Sequence, residues 1–301
     1  MGDITELALL IPGGHGQLGT DLAALGVRVG TVRAPGSADL DITSDTAVRA
    51  AIANLIDDAR TAGSHPIVVN AAAYTAVDAA ESDETTAHLV NAHGPAVLAG
   101  ACAAAGVPLI HVSTDYVFAG DADRPYEIDD PTGPKSAYGR TKLAGELAVR
   151  ELLPDASYVV RTAWVYGATG GNFVKTMARL ERERDTVSVV DDQRGSPTWS
   201  ADLAAALLEL GRSGASPGTY HCTNTSDTTW FGLTQAIFEE LGADPARVLP
   251  TTTDTFPRPA PRPAYSVLSD EAWRRAGLAP MRPWRAALHA AFAASGDALR
   301  P

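Results

Sequence analysis

Short apolar runs alternate with longer alanine-rich stretches through the first half of the chain. The runs are LALLI at 7–11, VRVGTV at 27–32, PIVVNAA at 66–72, PLIHVS at 108–113 and YVVRTAW at 158–164. They are almost wholly apolar and do not alternate, the pattern of strands covered on both faces by helices in a parallel sheet. Between them the spacing predicts helices over 43–61, opened by Thr43 or Ser44 as cap, and over 92–105, closed by Gly106 and Pro108. Strand and helix in this rhythm form repeated βαβ units, so the predicted fold is α/β, a Rossmann-type doubly wound parallel sheet. Beyond residue 165 the rhythm loosens into a glycine-rich segment at 167–171, a charged helix at 173–184 and a strand at 186–190. The expected division is a core over 1–165 and a smaller C-terminal lobe over 166–301, some of whose segments return to the core. The proline-rich stretch 250–268 reads as a linker or surface loop, since proline supplies no amide to a helix or sheet interior.

Immediately after the first run comes GGHGQLG at 13–19, where Gly13, Gly16 and Gly19 satisfy GxxGxxG and Gly14, Gly16 and Gly19 satisfy GxGxxG. Glycines between a strand and a helix let backbone approach a pyrophosphate, whose charge the helix N-terminus favours. The core is therefore expected to bind NAD(P). In such folds an acidic residue near the end of the second strand holds a free ribose hydroxyl. Here the position reads Val32-Arg33, and a guanidinium can neutralise a 2′-phosphate instead. NADPH is thus expected, with NADH as an accepted second cofactor; an unrelated surface arginine is the alternative reading. In DLDIT at 39–43, Asp41 is the candidate contact to the adenine or its ribose, and Asp39 is scaffold.

Tyr138 and Lys142, in SAYGRTKLAGE at 136–146, stand four apart and so share one helix face. A phenol ionises near ~10 in water, and a neighbouring ammonium that stabilises the phenolate is expected to bring it into a useful range for proton transfer. Upstream, HVSTDYVF at 111–118 delivers Thr114 and Asp115 to the carboxyl edge of the sheet, where a Thr114 hydroxyl can donate to a substrate carbonyl as negative charge develops. Alone, each element has a plain structural reading as a helix-surface pair or a cap. Together they point to reduction of a carbonyl.

Net charge of −12 opposes binding to nucleic acid or to an anionic membrane, so anionic ligands need a local basic pocket. Cys102 and Cys222 stand far apart, without metal-ligand spacing or a disulfide framework. The first apolar run meets Pro12 far short of the roughly 20 residues a bilayer requires, and a cytoplasmic location is expected.

These elements resemble the extended, nucleotide-sugar-using branch of the short-chain dehydrogenase/reductase superfamily. NAAAYTAVDAAE (70–81), STDYVF (113–118), YGRTKLAGE (138–146), RTAWVYG (161–167), NFVKTM (172–177), DDQRGSPT (191–198) and PRPAYSVLS (261–269) together resemble the dTDP-4-dehydrorhamnose reductase family. The resemblance implies reduction of the C4 ketone of dTDP-4-dehydrorhamnose, with Tyr138 as proton donor, Lys142 lowering its pKa and holding the nicotinamide ribose, and Thr114 steadying the oxyanion. It further implies that Gly16, Gln17 and Leu18 carry the pyrophosphate turn, that Asp41 and Ile42 lie on the adenine side, and that Ala73, Tyr74, Thr75 and Val112 flank the cofactor. Asp115 and Trp164 match sugar contacts, and Lys175, Arg258 and Arg262 are candidates for the substrate diphosphate, with solvated surface charge as the alternative for each. Some members carry Mg2+ at a dimer contact through glutamates; the matching positions here are Asp21 and Asp202, one methylene shorter, and no metal site is assigned. A monomer or a homodimer is compatible with these readings. The competing assignments are another nucleotide-sugar epimerase or dehydratase, or a non-catalytic regulatory subunit on the same fold.

Overall fold

A computed structural model of the protein describes residues 6–300, so residues 1–5 and 301 of the expected division lie outside the described residues. Each apolar run of the first half lies in or overlaps a strand. β1 (Leu7–Leu10) leads into α1 (Gln17–Gly26), β2 (Gly30–Arg33), α2 (Asp45–Ala62) and β3 (His65–Asn70). Short helices α3 (Val77–Ala80) and α4 (Glu84–His88) pass through a π-turn at Leu89–His93 into α5 (Gly94–Ala105), then β4 (Leu109–Thr114), α6 (Ala137–Leu152) and β5 (Ser157–Thr162). The run at 27–32 is displaced: Val27–Val29 form the turn that leaves α1, with Val27 66% exposed, and pairing starts only at Gly30.

The second half opens with β6 (Val165–Tyr166), α7 (Phe173–Glu183), β7 (Val187–Val190), β8 (Arg194–Gly195) and β9 (Thr198–Trp199). It continues through α8 (Ser200–Ser213), β10 (Gly218–His221), β11 (Thr228–Thr229), α9 (Trp230–Glu240), β12 (Val248–Thr251), α10 (Glu271–Arg275) and α11 (Trp284–Leu299). β10 joins the main sheet, whose order is β10-β5-β4-β3-β1-β2 with every pairing parallel. Strand order reverses between β1 and β3, and ligands of open α/β sheets bind in the crevice beyond the carboxyl ends of such strands.

Both faces of the sheet are covered. Leu22 of α1 and Leu203, Leu207 and Leu210 of α8 pack on Leu7, Leu9, Ile67, Val69 and Ile110. Val48, Ile52 and Leu55 of α2, Leu98 and Cys102 of α5 and Val149 of α6 cover Ala8, Leu10, Val68 and Leu109 on the other face. A further apolar cluster joins Val174 and Met177 of α7, Ile237 and Phe238 of α9, Leu288 and Phe292 of α11, and Val187 and Val248 of the β7–β12 pair.

The proline-rich stretch is not a plain linker. Tyr265 bridges Asp121 and Arg194, and Leu268 bridges Tyr126, so its second part is stitched by backbone hydrogen bonds to the loop beyond β4 and to β8. Beneath it Arg161 of β5 and Glu146 of α6 form a fully buried, multiply hydrogen-bonded ion pair, Nη2 to Oε2 at 2.7 Å. Two buried opposite charges fasten α6 to the sheet.

Candidate active site

The switch point opens into a cleft of about 650 Å³ running from the glycine turn to α9. At one end Gly13 has φ +79°, and a Cβ there would stand 2.6 Å from the Ala72 nitrogen, so only glycine lets the turn lie on the end of β3. Helix α1 then begins at Gln17, with Gly16 at its N-cap position giving no side-chain cap and no acidic residue in the first turn. Its first amides and positive dipole end face the cleft, which Gly16, Gln17 and Leu18 line. Gly19 packs against the Gly13 carbonyl and serves the turn from behind.

At the middle of the cleft stand the three expected catalytic side chains. Ser136 caps α6 by accepting from the Gly139 amide at 3.1 Å, which places Tyr138 in the first turn. A Cβ at Gly139 would meet the Tyr116 carbonyl at 2.3 Å, so this helix start sits directly on the segment that follows β4. Tyr138 is thereby held edge-on to Tyr116, centroids 5.6 Å apart, with its phenol beside the Thr114 hydroxyl. One turn on, Lys142 is fully buried and its Nζ donates to the Val112 carbonyl at 2.7 Å.

The electrostatics differ from the expectation that Lys142 lowers the phenol's pKa. Burial pushes the Tyr138 phenol up to about 12, with the Thr114 hydrogen bond opposing and the Asp115 charge adding to the rise. Lys142 is pushed down to about 8 by burial, against the pull of Glu146. Desolvation is the largest cause of both shifts, and the Lys142 charge is not among the causes that set the phenol's. Asp115 is also buried and pushed up to about 6 by desolvation, which the neighbouring Ser266 and Thr114 hydroxyls only partly oppose; Thr114 donates to its Oδ1 at 2.9 Å, and its Oδ2 has no hydrogen-bond partner.

Trp164 lines the far end of the cleft in the left-handed region, φ +47°, rare for a bulky residue and a form of local strain typical of sites. Its ring lies against Gly195 and stacks on Trp230, centroids 3.5 Å apart and planes within 6°. One indole face is therefore occupied by Trp230, a residue that sequence reading did not single out. Asn172 and Phe173 also line this end. Asn172 is legible as the cap of α7, but nothing local announces that it reaches Gln17 or that Trp230 meets Trp164.

Ala73, Thr75, Val112 and Asp115 reach the cleft wall. The other expected residues do not, and each has an internal partner. Tyr74 packs on the same small apolar cluster as Tyr138, and its backbone amide donates to Asn91 Oδ1 while its carbonyl accepts from Asn91 Nδ2. Ile42 is core. Asp41 accepts from the Thr43 amide and hydroxyl, which holds its carboxyl below its usual range. Arg33, at the end of β2, pairs with Asp58 of α2. Lys175 donates to the Ala168 carbonyl, and Arg262 pairs with Asp78 at 2.9 Å while Arg258 lies 3.9 Å from the same carboxylate. Asp21 takes the Ser200 hydroxyl, and Asp202 pairs with Asn224 and Arg282. Among the described residues no group of three or more His, Cys, Asp or Glu is placed to hold a metal ion, and no helix is long and apolar enough to cross a membrane.

Comparison with known proteins gives one consistent picture. The family model described as RmlD substrate binding domain matches residues 7–296. A dTDP-4-dehydrorhamnose reductase of Streptomyces griseus is 54% identical over 97% of this chain and 95% of its own. A probable dTDP-4,6-dihydroxy-2-methyloxan-3-one 4-ketoreductase of Streptomyces antibioticus is 51% identical over 94% of each chain. The crystal structure of a Bacillus anthracis dTDP-4-dehydrorhamnose reductase in complex with NADP is similar with a TM-score of 0.87 and 37% identity, covering 96% of this chain and 99% of that one.

Proposed function

Since the chain belongs to the RmlD substrate binding domain family, we propose that it uses NADPH to reduce the C4 ketone of dTDP-4-dehydro-β-L-rhamnose to dTDP-β-L-rhamnose, the last step of dTDP-rhamnose synthesis. The observation that carries this reading is the meeting of Thr114, Tyr138 and Lys142 in one cleft whose other end is the glycine turn. That turn fits a dinucleotide: Gly13, Gly14 and Gly16 carry no side chain and α1 starts without a side-chain cap, which leaves its first amides for a diphosphate.

A bound dihydronicotinamide supplies hydride to the ketone carbon. The protein's share is the proton and the field. A phenol pushed up to about 12 keeps its proton at neutral pH, so Tyr138 is ready to donate to the ketone oxygen. Loss of that proton leaves a buried phenolate, which the Lys142 ammonium one helical turn away offsets. The Thr114 hydroxyl, beside the phenol, turns toward the same oxygen as charge builds on it. Asp115 and the Trp164–Trp230 pair border the sugar, and Arg258 and Arg262, gathered on Asp78 beyond the Val77 edge of the cleft, supply positive charge toward its diphosphate.

The direct test is to generate the dTDP-4-keto sugar enzymatically, add this protein with NADPH, and identify the product. Formation of dTDP-rhamnose with equimolar loss of NADPH is expected; a sugar product without net NADPH loss would mean an epimerase or dehydratase. The Streptomyces antibioticus relative favours one second reading, reduction of a neighbouring 4-keto sugar, which product identity distinguishes. The pH profile adds a check. Lys142 is an ammonium below about 8 and neutral above it, so kcat/KM for reduction falls as pH rises through about 8. A profile flat through that point would show that its charge is not needed.

Arg33 is proposed to choose the cofactor. Its guanidinium, 2.9 Å from Asp58, would exchange part of that exposed pair for a 2′-phosphate. Arg33→Ala is expected to raise the KM for NADPH about three- to tenfold and leave NADH nearly unchanged. Equal effects on both cofactors would make Arg33 a structural partner of α2 only.

A further inference from the structure

Gln17 holds an unexpected position. It is the first residue of α1, directly after the glycine turn, yet its side chain reaches into the second half of the chain. Its Nε2 donates to the Val165 carbonyl at 3.0 Å, and its Oε1 accepts from Asn172 Nδ2 at 2.9 Å. The same Asn172 Nδ2 donates to the Gly167 carbonyl at 2.8 Å, while its Oδ1 caps α7 through the Lys175 amide at 3.1 Å. Lys175 in turn donates to the Ala168 carbonyl. The segment 167–172 is thus a strap pinned at Gly167, Ala168 and Asn172, with Gly170 and Gly171 on the cleft wall between the glycine turn and the tryptophan pair.

We propose that Gln17 is a positioning residue that couples the two ends of the cleft, setting the strap 167–172 through Asn172 for the sugar nucleotide when its own backbone is fixed by the cofactor diphosphate. The proposal rests on the reading above only for the identity of the two ligands. A helix N-terminal amide is one of the orphan donors that an anion engages, so a diphosphate at the turn immobilises Gln17 at its backbone. An immobilised Gln17 holds both partners of its side-chain amide, Val165 and Asn172, and the strap loses its freedom without touching the cofactor. Ordering that the first ligand has already brought about need not be repeated by the second, which makes their binding mutually favourable.

The test compares wild type with Gln17→Met, which has similar length but neither hydrogen bond, and with Asn172→Ser, which keeps a good cap on α7 but cannot reach Gln17. Amide hydrogen exchange of residues 167–172 is measured with and without NADPH. Slower exchange on adding NADPH is expected in wild type and absent in both variants. The same degree of protection in Gln17→Met, or none in wild type, would overturn the proposal. Kinetically, Gln17→Met is expected to raise the KM for the dTDP-4-keto sugar about tenfold, a larger change than in the NADPH dissociation constant. The double variant should be no worse than either single one, because both break one connection. Weakened NADPH binding with an unchanged sugar KM would instead make Gln17 a plain diphosphate ligand. If wild type fails to reduce the keto sugar yet shows the exchange response, the substrate reading falls and the coupling stands.

Discussion

Tyr138→Phe is expected to lose about 10²–10⁴-fold in ketone reduction while keeping the fold and the affinity for NADPH. Only a hydroxyl is removed. The edge-on contact with Tyr116 is made by the ring, which phenylalanine retains, and the Ser136 cap and the seat of Gly139 on Tyr116 do not involve the phenol. The size of the loss follows from what replaces the donor: Thr114 can hold the forming oxyanion but is too weak an acid to deliver a proton on the time scale of turnover, and water must enter instead. Steady-state turnover and a separate NADPH titration of the folded variant check this. Turnover within about tenfold of wild type would show that another group supplies the proton.

The second large effect concerns stability. Arg161→Met leaves the Glu146 carboxylate fully buried opposite an apolar side chain, and breaking a buried pair by removing one partner costs about 3–5 kcal/mol. The Arg161 guanidinium also lies 4.9 Å from the Phe118 ring centre, so more than one neighbour loses a contact. Urea denaturation should show a clearly lower midpoint. The double change Arg161→Met with Glu146→Leu should recover much of the loss, since a packed apolar pair can replace a buried ionic one. No recovery would mean that the bidentate geometry itself, not charge balance, fastens α6 to β5.

Much of the fold was legible because buried parallel strands are written as apolar runs, and four of the five runs lie where the sheet needs them. The exception, at 27–32, misleads because Val27 and Val29 are apolar residues of a turn, the first largely exposed. Helix α2 follows its Ser44 cap as expected, but the helix expected from 92 becomes α5 only at Gly94, after a π-turn that apolar spacing does not reveal. Thr114, Tyr138 and Lys142 could be read because the chemistry lies in short local spacings. Trp230 and Asn172 could not, as their importance comes from contacts with Trp164 and Gln17 across more than sixty residues of chain. Charged candidates were the least legible. Arg33, Lys175 and Arg262 each have a partner inside the molecule, and a sequence shows a charge without showing what already neutralises it.

The late arrival of α8 and β10 matters while the chain is being made. Ribosomal synthesis delivers β1 to β5 first, and at that stage β5 is an unpaired edge and Leu7, Leu9, Ile67 and Ile110 lack the cover that Leu203, Leu207 and Leu210 give. Until residue 221 has emerged, the growing chain carries a sticky, half-clad sheet of the kind that chaperones shield and that otherwise pairs with its neighbours. A fragment ending at residue 165 would keep that face and the β5 edge bare, so it is expected to aggregate where the full chain stays soluble.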